Sequence, residues 1–374
     1  MKLIDKYLGS IILGFLSLFK RKTPRFLQEN IKKILFIKLI AMGDLLVIAP
    51  LVKNIKDNYP NAQIHLLTTP KMQSIVENQG LYDKIFYLRF DKWFLLSFLQ
   101  QVINLFKQKY SMVFELEFYY RLTTIIAFLI KPKYLIGFQL QKVRSNLYDK
   151  EIAFKEELHI TEVYLEFAKA LDIKVKNQKM LPLKYSQEDK KYVDKLLPNA
   201  TNSIVIQVGT SKTAVSRRWI TASWQELIDK LSVDFPIILA GAFEESEIIK
   251  NIVLPESNIA NAICKLSIPQ MAYLLSVCKL FVGLDTGTTH LASAMGAKIL
   301  ALYGPNLPTR WGPNSKGATI IYNKLDCSPC TRQHLGIVSS CKDNKCMQAI
   351  GVAEVLLAGK RAMLDDRFAG TSED

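Results

Sequence analysis

Short apolar stretches that alternate with amphipathic stretches constrain the fold of this chain more than any other feature of its sequence. The stretch KKILFIKLI at 32–40 is β-branched, nearly continuous in apolar residues and bounded by charges, which is typical of a buried parallel strand. The stretch after it repeats apolar residues at helical spacing and stops before Pro60. Such strand and helix pairs recur along the chain. They predict an α/β fold with doubly wound parallel sheets and right-handed crossovers.

Two series of these pairs are present, and the chain length of 374 residues fits two domains. A more polar, lysine-rich segment at about 139–200 separates the first series from SIVIQVG (203–209), which opens the second. We expect two Rossmann-like domains facing a central cleft, the usual place for a ligand. The predicted boundaries are an N-terminal segment at 1–30, domains at 31–185 and 186–359, and a polar tail at 360–374.

The N-terminal segment is apolar and then basic. The run YLGSIILGFLSLF at 7–19 is followed by Lys20, Arg21, Lys22 and Arg25. It is shorter than the roughly 20 residues that a spanning helix needs, and its basic cluster follows the apolar run, the reverse of a secretory signal. We expect an amphipathic segment that lies on the membrane surface with its cations against anionic head groups. The alternative is a helix packed on the protein's own surface.

The formal net charge of +15 predicts an anionic partner. Nucleic acid is disfavoured, because the chain has no zinc-finger, RRM-like or basic-helix signature. An anionic membrane surface and a phosphorylated small molecule fit the distribution of charge better.

Ligands of open α/β sheets gather at the carboxyl ends of the strands, and three polar segments follow predicted strands. The first is Met42, Gly43 and Asp44, where Asp44 is either a functional carboxylate or a helix cap. The chain lacks G-x-G-x-x-G here and a P-loop anywhere, which argues against a dinucleotide oxidoreductase and a P-loop NTPase.

The other two segments lie in the second half and suit a phosphate group. GTSKTAVSRRW at 209–219 mixes hydroxyls with cations, and the alternative is a solvated basic loop. GLDTGTTH at 283–290 runs from a strand into a helix whose first amides form a ready anion site. His290 faces either the ligand or the core.

Three motifs resemble glycosyltransferase family 9, the ADP-heptose:lipopolysaccharide heptosyltransferases and their relatives. They are ILFIKLIAMGDLLVIAPLVKNIKDNYPNAQI, RRWITASWQELI and DTGTTHLASAMGAKILALYGPNLPTRWGP, in an order and spacing that agree over about 31–350. The resemblance implies a GT-B fold and inverting, metal-independent transfer of a heptose-like sugar from a nucleotide diphosphate. It also implies that the front domain binds the acceptor and the rear domain the donor.

Carried over by position, the resemblance makes Asp44 the catalytic base, with Met42 and Gly43 on the acceptor side. Arg217 stands where the family commonly has Lys, a change that keeps the charge but alters the geometry. Glu245 is near the position that contacts the donor ribose or base. The predicted donor-binding residues are Thr210, Ser211, Lys212, Thr213, Arg217, Glu245, Asp285, Thr286, Gly287, Thr288 and His290.

The expected activity is transfer of the sugar to lipopolysaccharide or another lipid-linked glycan, at the cytoplasmic face of the bacterial membrane. No cofactor is expected for catalysis. Two alternatives stay open: a non-catalytic membrane-associated module that binds nucleotide sugars, and a nucleotide-sugar epimerase of the same architecture.

Four cysteines cluster late in the chain as C-x2-C-x10-C-x4-C: Cys327, Cys330, Cys341 and Cys346. Such a set can bind structural zinc, but its second pair is spaced more widely than in the usual zinc knuckle. A disulfide-prone hairpin and free thiols are the alternatives.

Overall fold

The chain divides into two compact units. The computed structural model describes residues 2–19, 31–253 and 258–364. The first unit comprises Met1–Ala41, Ile48–Gln178 and Gln333–Gly336, and the second comprises Met42–Val47, Lys179–Arg332 and Ile337–Asp374. The predicted basic cluster of Lys20, Arg21, Lys22 and Arg25 lies outside the described residues.

The first part of the chain alternates strands and helices as the sequence predicts. Its elements are α1 (Lys2–Ser17), β1 (Lys33–Ile37), α2 (Met42–Val47), α3 (Ala49–Asn58), β2 (Gln63–Thr68), α4 (Gln73–Gln79), β3 (Lys84–Tyr87), α5 (Phe94–Lys107), β4 (Met112–Glu115), α6 (Arg121–Leu129), β5 (Tyr134–Phe138), α7 (Lys142–Ser145), β6 (Lys150–Ile152) and α8 (Ile160–Lys169).

The second part repeats this alternation. Its elements are α9 (Gln187–Leu196), β7 (Ile204–Ile206), α10 (Thr221–Ser232), β8 (Ile237–Leu239), α11 (Phe243–Ile249), β9 (Ile259–Asn261), α12 (Ile268–Val277), β10 (Leu280–Leu284), α13 (Gly287–Ala294), β11 (Ile299–Tyr303), α14 (Pro308–Trp311), β12 (Ala318–Tyr322), α15 (Lys345–Gln348) and α16 (Val352–Leu364).

Each unit contains one six-stranded parallel sheet, and the two sheets share one topology. The strand orders are β3-β2-β1-β4-β5-β6 and β12-β11-β10-β7-β8-β9. In the first sheet Ile34 of β1 pairs with Ile64 of β2 and Met112 of β4. The strand order therefore reverses between β1 and β4 in one unit and between β7 and β10 in the other. Ligands of such sheets bind outside the carboxyl ends of the strands at this switch point.

The central strands are apolar because helices cover both faces of each sheet. Residues 34–37 of β1 and 280–282 of β10 are fully buried. Ile37 packs with Leu67 and Val113 in one core, and Val282 packs with Trp224 and Leu302 in the other. These apolar contacts fix the strand ends, and with them the side chains that follow each strand.

The segment after β1 is two helices, although its spacing predicts one. Helix α2 ends at Val47, and α3 begins at Ala49 with Pro50 in its first turn. Proline lacks the amide that a continuous helix would need at this position, whereas it suits the first turn of a new helix. The break lets α2 belong to the second unit while α3 returns to the first.

The N-terminal helix α1 packs on the first unit. Leu13 is buried with Ile125 of α6, and the Asp5 carboxylate accepts hydrogen bonds from the amides of Arg121 and Leu122, both at 2.9 Å. Among the described helices, none is long and apolar enough to cross a membrane. At the other end of the chain, α16 extends to Leu364, through the first five positions of the segment expected to be a tail.

Candidate functional site

The switch point of the second unit carries a polar hydrogen-bonded group. Gln207 follows β7, and Asp285 and Thr286 follow β10. The Thr286 hydroxyl donates to Gln207 Oε1 at 2.8 Å, so one hydrogen bond joins the two strand ends across the point where the strand order reverses. Gln207 Nε2 in turn donates to Glu245 Oε1 at 2.9 Å. This is the location where the fold favours a ligand.

Asp285 is held by two side chains. Nη1 of Arg217 lies 3.1 Å from Asp285 Oδ2 and donates to the Asp285 carbonyl oxygen at 3.0 Å. The amide of Asn306 donates to the same Asp285 carboxylate oxygen. Burial, and next the Asp285 charge, raises the pKa of the neighbouring Tyr303 well above its usual value. Tyr303 therefore stays neutral and donates to the Trp311 carbonyl at 2.9 Å.

Glu245 is nearly fully buried at the start of α11. Besides accepting from Gln207, it accepts the Ala242 amide at 2.9 Å, which satisfies the backbone amide of the N-cap residue of α11. A Cβ on Gly209 or Gly241 would lie 2.7 Å from Glu245 Cγ, so both positions need glycine for the carboxylate to sit here. The predicted donor-binding residues Glu245 and Thr286 thus meet through Gln207.

The buried Thr210 holds the basic loop after β7 in place through hydrogen bonds. Thr210 donates to the Ala214 carbonyl at 2.9 Å, and Nη2 of Arg218 donates to the Thr210 carbonyl at 2.9 Å. The loop tip beyond Thr210 is exposed, and there the hydroxyls of Ser211 and Thr213 lie 3.1 Å apart. Lys212 is exposed at the same tip, whereas Arg217 is drawn back to Asp285.

Helix α13 begins directly at this polar group. Thr286 is its N-cap in an extended conformation, and its side chain makes no capping hydrogen bond, since it donates to Gln207. The first amides of a helix have no partner within the helix and carry its positive end. Gly287 and Thr288 are half-buried at this end. Arg217 and the start of α13 together offer charge and amides to an anion.

Farther along the same helix, two side chains lie inside the second unit. Thr289 is buried and donates to the Leu284 carbonyl, which ties α13 back to the end of β10. His290 is also buried, with 5% of its surface exposed. Of the two positions considered for His290, the structure shows it in the interior, against the helix that carries Asp44.

The short helix α2 packs on α13 through two glycines. A Cβ on Gly43 would lie 2.8 Å from His290 Cδ2, and a Cβ on Gly287 would lie 2.7 Å from Met42 Cε and 3.1 Å from the Gly43 amide nitrogen. Only glycine allows backbones to approach this closely. The predicted acceptor-side pair, Met42 and Gly43, therefore contacts the predicted donor-binding motif directly.

Asp44 is the third residue of α2 and is partly exposed. The residue before α2, Ala41, has φ +76°, a left-handed conformation that costs a residue with a side chain about 1–3 kcal/mol. Such conformations persist where surrounding structure enforces them and concentrate at functional sites. The turn at Ala41 directs the chain into α2, and this places Asp44 on the helix that packs against α13.

At the corresponding switch point of the first unit, buried ion pairs fill the strand ends. Glu117 accepts the Leu39 amide at 2.7 Å and lies 3.4 Å from Lys38 Nζ, and both side chains are fully buried. Arg144 pairs with Glu115 at 2.5 Å. Burial lowers the pKa of Arg144, but the neighbouring Glu115 outweighs this effect and raises it overall.

The four late cysteines are free thiols in the described part of the chain. Cys346 is buried and the other three are partly or fully exposed, all as free thiols. Burial, and next the neighbouring Cys330, raises the pKa of Cys346. Across residues 2–19, 31–253 and 258–364, no group of three or more His, Cys, Asp or Glu side chains is arranged to hold a metal ion. The structural zinc site that the spacing allows is therefore not confirmed.

Two residues of the polar group were not predicted from the sequence, Gln207 and Asn306, whereas Arg218 was predicted only as one cation of the basic loop. Gln207 directly follows β7, and Asn306 lies three residues after β11. Both positions follow the rule that ligands gather at the carboxyl ends of strands. A search there for side-chain amides as well as charged side chains finds both residues. Arg218 supports the loop through Thr210, a contact that no sequence pattern reveals.

The two parallel sheets and the polar group at a switch point agree with the family comparison, which places the protein among the glycosyltransferases. The model of glycosyltransferase family 9 (heptosyltransferase) matches residues 103–336. The chain belongs to this family. The predicted family and the expected α/β GT-B fold are confirmed, and the second and third sequence motifs lie within the matched residues.

Individual relatives agree with this assignment. The chain is 22% identical over 312 residues to the lipopolysaccharide core heptosyltransferase OpsX of Haemophilus influenzae, covering 80% of this chain and 84% of the relative. A family 9 glycosyl transferase from Veillonella parvula has the same fold, with a TM-score of 0.75, 16% identity and coverage of 91% and 99%. The Escherichia coli heptosyltransferase WaaC with ADP-2-deoxy-2-fluoro heptose superposes with a TM-score of 0.65, 18% identity and coverage of 88% and 99%.

Proposed function

We propose that this glycosyltransferase moves a heptose-like sugar from a nucleotide diphosphate, such as ADP-heptose, to lipopolysaccharide or another lipid-linked glycan. The name of the Haemophilus influenzae relative supports the sugar and the acceptor, and the ligand of the Escherichia coli neighbour supports the donor. We assign the acceptor to the domain at 31–185 and the donor to the domain at 186–359. We place the reaction at the cytoplasmic face of the membrane, on an anionic lipid surface.

One observation carries this proposal: α2, which bears Asp44, packs against the start of α13. A Cβ at position 43 would lie only 2.8 Å from His290 Cδ2, so a side chain there would displace the His290 ring. A carboxylate and an anion-binding helix end are thus held by one packed pair of helices. Transfer from a sugar diphosphate needs both groups, a base for the acceptor and a positive site for the leaving group.

The transfer itself requires a balanced exchange of bonds. The acceptor hydroxyl oxygen forms a bond to the anomeric carbon as the bond from that carbon to the diphosphate oxygen breaks. Asp44 takes the hydroxyl proton, and the bonding electrons leave with the nucleotide diphosphate. Attack opposite to the leaving group inverts the anomeric carbon.

We propose that cations and amides of the chain stabilise the departing diphosphate without a metal ion. Arg217 has only one guanidinium nitrogen bonded to Asp285, so its other nitrogens can face a phosphate. The first amides of α13 add a second set of donors. The further predicted donor-binding residues Ser211, Lys212 and Thr213 lie on the exposed loop tip, where they would order around the ligand.

The test is Asp44→Asn, which keeps the shape of the side chain and removes its basicity. We expect turnover to fall by about 10²–10⁴, the usual contribution of a general base. Donor binding should persist, measured as thermal stabilisation by ADP-, UDP-, GDP- and CDP-sugars. At a hundred times its dissociation constant a ligand adds about 2.7 kcal/mol. The control is Asp57→Asn, on the neighbouring helix α3.

The outcomes separate the alternatives. Undiminished turnover in Asp44→Asn would remove Asp44 from the mechanism. Donor binding with no acceptor-dependent release of nucleotide, in wild type as well, would indicate the non-catalytic binding module. Conversion of the donor sugar when no acceptor is present would indicate an epimerase.

A further inference from the structure

Helix α5 of the first unit is apolar on two sides. Its inner side packs into the core of the unit through the buried Leu105 and the partly buried Phe94, Phe98 and Val102. A second apolar stripe points to solvent, and its side chains are between 48% and 65% exposed. This stripe consists of Leu95, Leu96, Leu99, Ile103 and Phe106.

The remaining side of α5 is polar and lies along the edge strand of the sheet. Gln101, Asn104 and Gln108 line a groove with residues 84–87 of β3. Gln108 also accepts a hydrogen bond from Lys33 Nζ at 2.9 Å. Helix α5 therefore places polar residues against the edge strand and apolar residues in solvent. The exposed apolar stripe is not needed to pack α5 on its own unit.

Helix α1 shows the same arrangement. One side packs on α6 through Leu13 and the Asp5 carboxylate. The opposite side has large apolar side chains at helical spacing, each between 53% and 78% exposed. These are Tyr7, Leu8, Ile11 and Phe15 of α1, with Leu18 and Phe19 in the turn that follows it.

Helix α6 packs against both α1 and α5, so the three helices are neighbours in the first unit. Ile126, Ala127 and Ile130 at α6 pack in the same cluster as α5. Ile125 of α6 packs with α1, and Leu129 at the end of α6 is exposed. We call the exposed side of α1, α6 and α5 the three-helix surface. Exposed apolar surfaces of neighbouring elements are typical of interaction sites.

The charges around the three-helix surface are mostly positive, and the exposed Asp91 beside Lys92 pairs with Arg89 at 3.2 Å. The sequences of α1, α5 and α6 contain one acidic residue, Asp5, and its carboxylate is bonded to the start of α6. Exposed lysines stand at the helix ends: Lys92, Lys107, Lys109, Lys131 and Lys133. In the sequence, Lys20, Arg21, Lys22 and Arg25 follow α1 directly.

An aromatic residue marks the rim at the start of α5. Trp93 is exposed, and Lys92 Nζ lies 5.6 Å from the centre of its ring. Tryptophan and lysine both favour the boundary between hydrocarbon and head groups, where the ring is half apolar and the ammonium meets phosphate. Two copies of this chain would instead bring two basic rims together, which opposes self-association.

We propose that the three-helix surface docks on a lipid bilayer that contains anionic phospholipid, with α1 and α5 lying flat in the head-group region. Helices of this kind bury their apolar side about 5–10 Å into the boundary of head groups and acyl chains. The proposal extends the expected N-terminal anchor to a second helix far from it in sequence. It rests on the proposed function only for its purpose, which is to bring the enzyme to a lipid-linked acceptor.

The experiment measures binding of the full chain to vesicles of phosphatidylcholine with and without phosphatidylglycerol. We expect binding to the mixed vesicles, weakened by added salt because screening lengths fall below about 10 Å above 0.1 M. The paired substitution Leu99→Glu and Ile103→Glu in α5 should weaken binding at least about tenfold, since charges at this depth oppose insertion. The matched control is Val233→Glu with Leu357→Glu, two exposed apolar positions of the second unit.

Further variants separate a loss of vesicle binding from a loss of folding. Leu99→Gln with Ile103→Gln gives an uncharged loss of the stripe, and a wild-type melting temperature for either pair shows that the fold is intact. Ile11→Glu with Phe15→Glu tests α1 in the same way. Wild-type binding by the folded α5 variants would overturn the proposal, even if the α1 variant lost binding. The proposal would also be overturned if the wild type forms a dimer that does not bind vesicles and the α5 variants are monomers. That result would show that a second copy of the chain covers the surface.

Transfer to a detergent-solubilised acceptor, without vesicles, separates this proposal from the proposed function. The α5 variants should retain this activity. If the wild type does not transfer sugar, the proposed function is wrong. Vesicle binding still tests the docking proposal in that case.

Discussion

The two switch points of this molecule have the same topology and opposite chemistry. In the first unit, Glu115, Glu117, Lys38 and Arg144 neutralise one another and are buried to within 1% of their surface. In the second unit, the Arg217 side chain is 15% exposed beside Asp285, and the first turn of α13 lies next to it. At the first switch point the charged side chains therefore satisfy one another. At the second, cationic and amide donors face partly toward solvent.

This difference shows how one fold can serve as scaffold and as binding site. Glu117 bonds the Leu39 amide just before the chain turns into α2. The buried network of the first unit thus fixes the segment that leads to Asp44. The second unit retains partly exposed donors, which we propose to be satisfied by the diphosphate.

The largest effect should come from breaking the closed switch point with Glu115→Gln. Glu115 accepts from both Arg144 and Tyr148, and its loss leaves a buried guanidinium charge uncompensated. Removing one partner of a buried pair costs about 3–5 kcal/mol. Calorimetry should show a marked fall in the unfolding temperature.

The control for this substitution is Glu226→Gln, which breaks an exposed pair with Lys230. Exposed pairs contribute about 0–1 kcal/mol. Equal effects of the two substitutions would contradict the view that the first switch point is a structural network.

A somewhat smaller effect is expected from acid, through His65 of the first unit. Burial, and next the charges of Lys33 and Lys84, lowers the pKa of His65 to about 4. The unfolded chain binds this proton near pH 6.5. Between these values the unfolded state holds more protons, so stability is complete above about pH 6.5 and falls by up to about 3 kcal/mol as the pH approaches 4.

Urea unfolding at pH 7 and pH 5 measures this loss. His65→Gln can still hydrogen bond the Tyr110 hydroxyl, which lies 2.9 Å from His65 Nδ1, but it does not titrate. The variant should lose less stability than wild type between the two pH values. An identical loss in both proteins would show that His65 is not a source of the acid sensitivity.

The smallest of the three effects is on ligand binding at the open switch point. Arg217→Gln removes a charge-assisted contact worth about 1.5–3 kcal/mol, so the dissociation constant of a nucleoside diphosphate should rise about 10–100-fold. Arg217→Lys keeps the charge and should recover most of the affinity. The exposed Arg361→Gln is the control. Titration calorimetry measures all three, and unchanged binding in Arg217→Gln would show that the phosphates lie elsewhere.

The sequence predicts the buried central strands well, but of the four edge strands it predicts only β3. Central strands such as β1 and β10 are continuous apolar runs because both faces are covered. The strands β6, β9 and β12 were not predicted, and all three lie at sheet edges. Strand β6 is polar at two of its three positions and β9 has only three residues, so neither forms a long apolar run.

The candidate site was predicted in its residue types but not in its pairings. The rule for strand ends pointed to Asp44, Arg217 and Asp285, and the structure pairs Arg217 with Asp285. Local spacing cannot show that α2 packs on α13, since the contact joins residues far apart in sequence. The exposed stripe of α5 was not predicted for a related reason. The spacing of apolar residues shows that a helix has an apolar side, but not whether the fold covers that side.

The most direct test of this account is a crystal structure of the chain with ADP-2-deoxy-2-fluoro heptose, a donor analogue. The account predicts that the diphosphate oxygens accept hydrogen bonds from Arg217 and from the amides of Gly287 and Thr288, with the sugar facing Asp44. A diphosphate bound at the strand ends of the first unit, or bound away from α13 with Arg217 uninvolved, would contradict it.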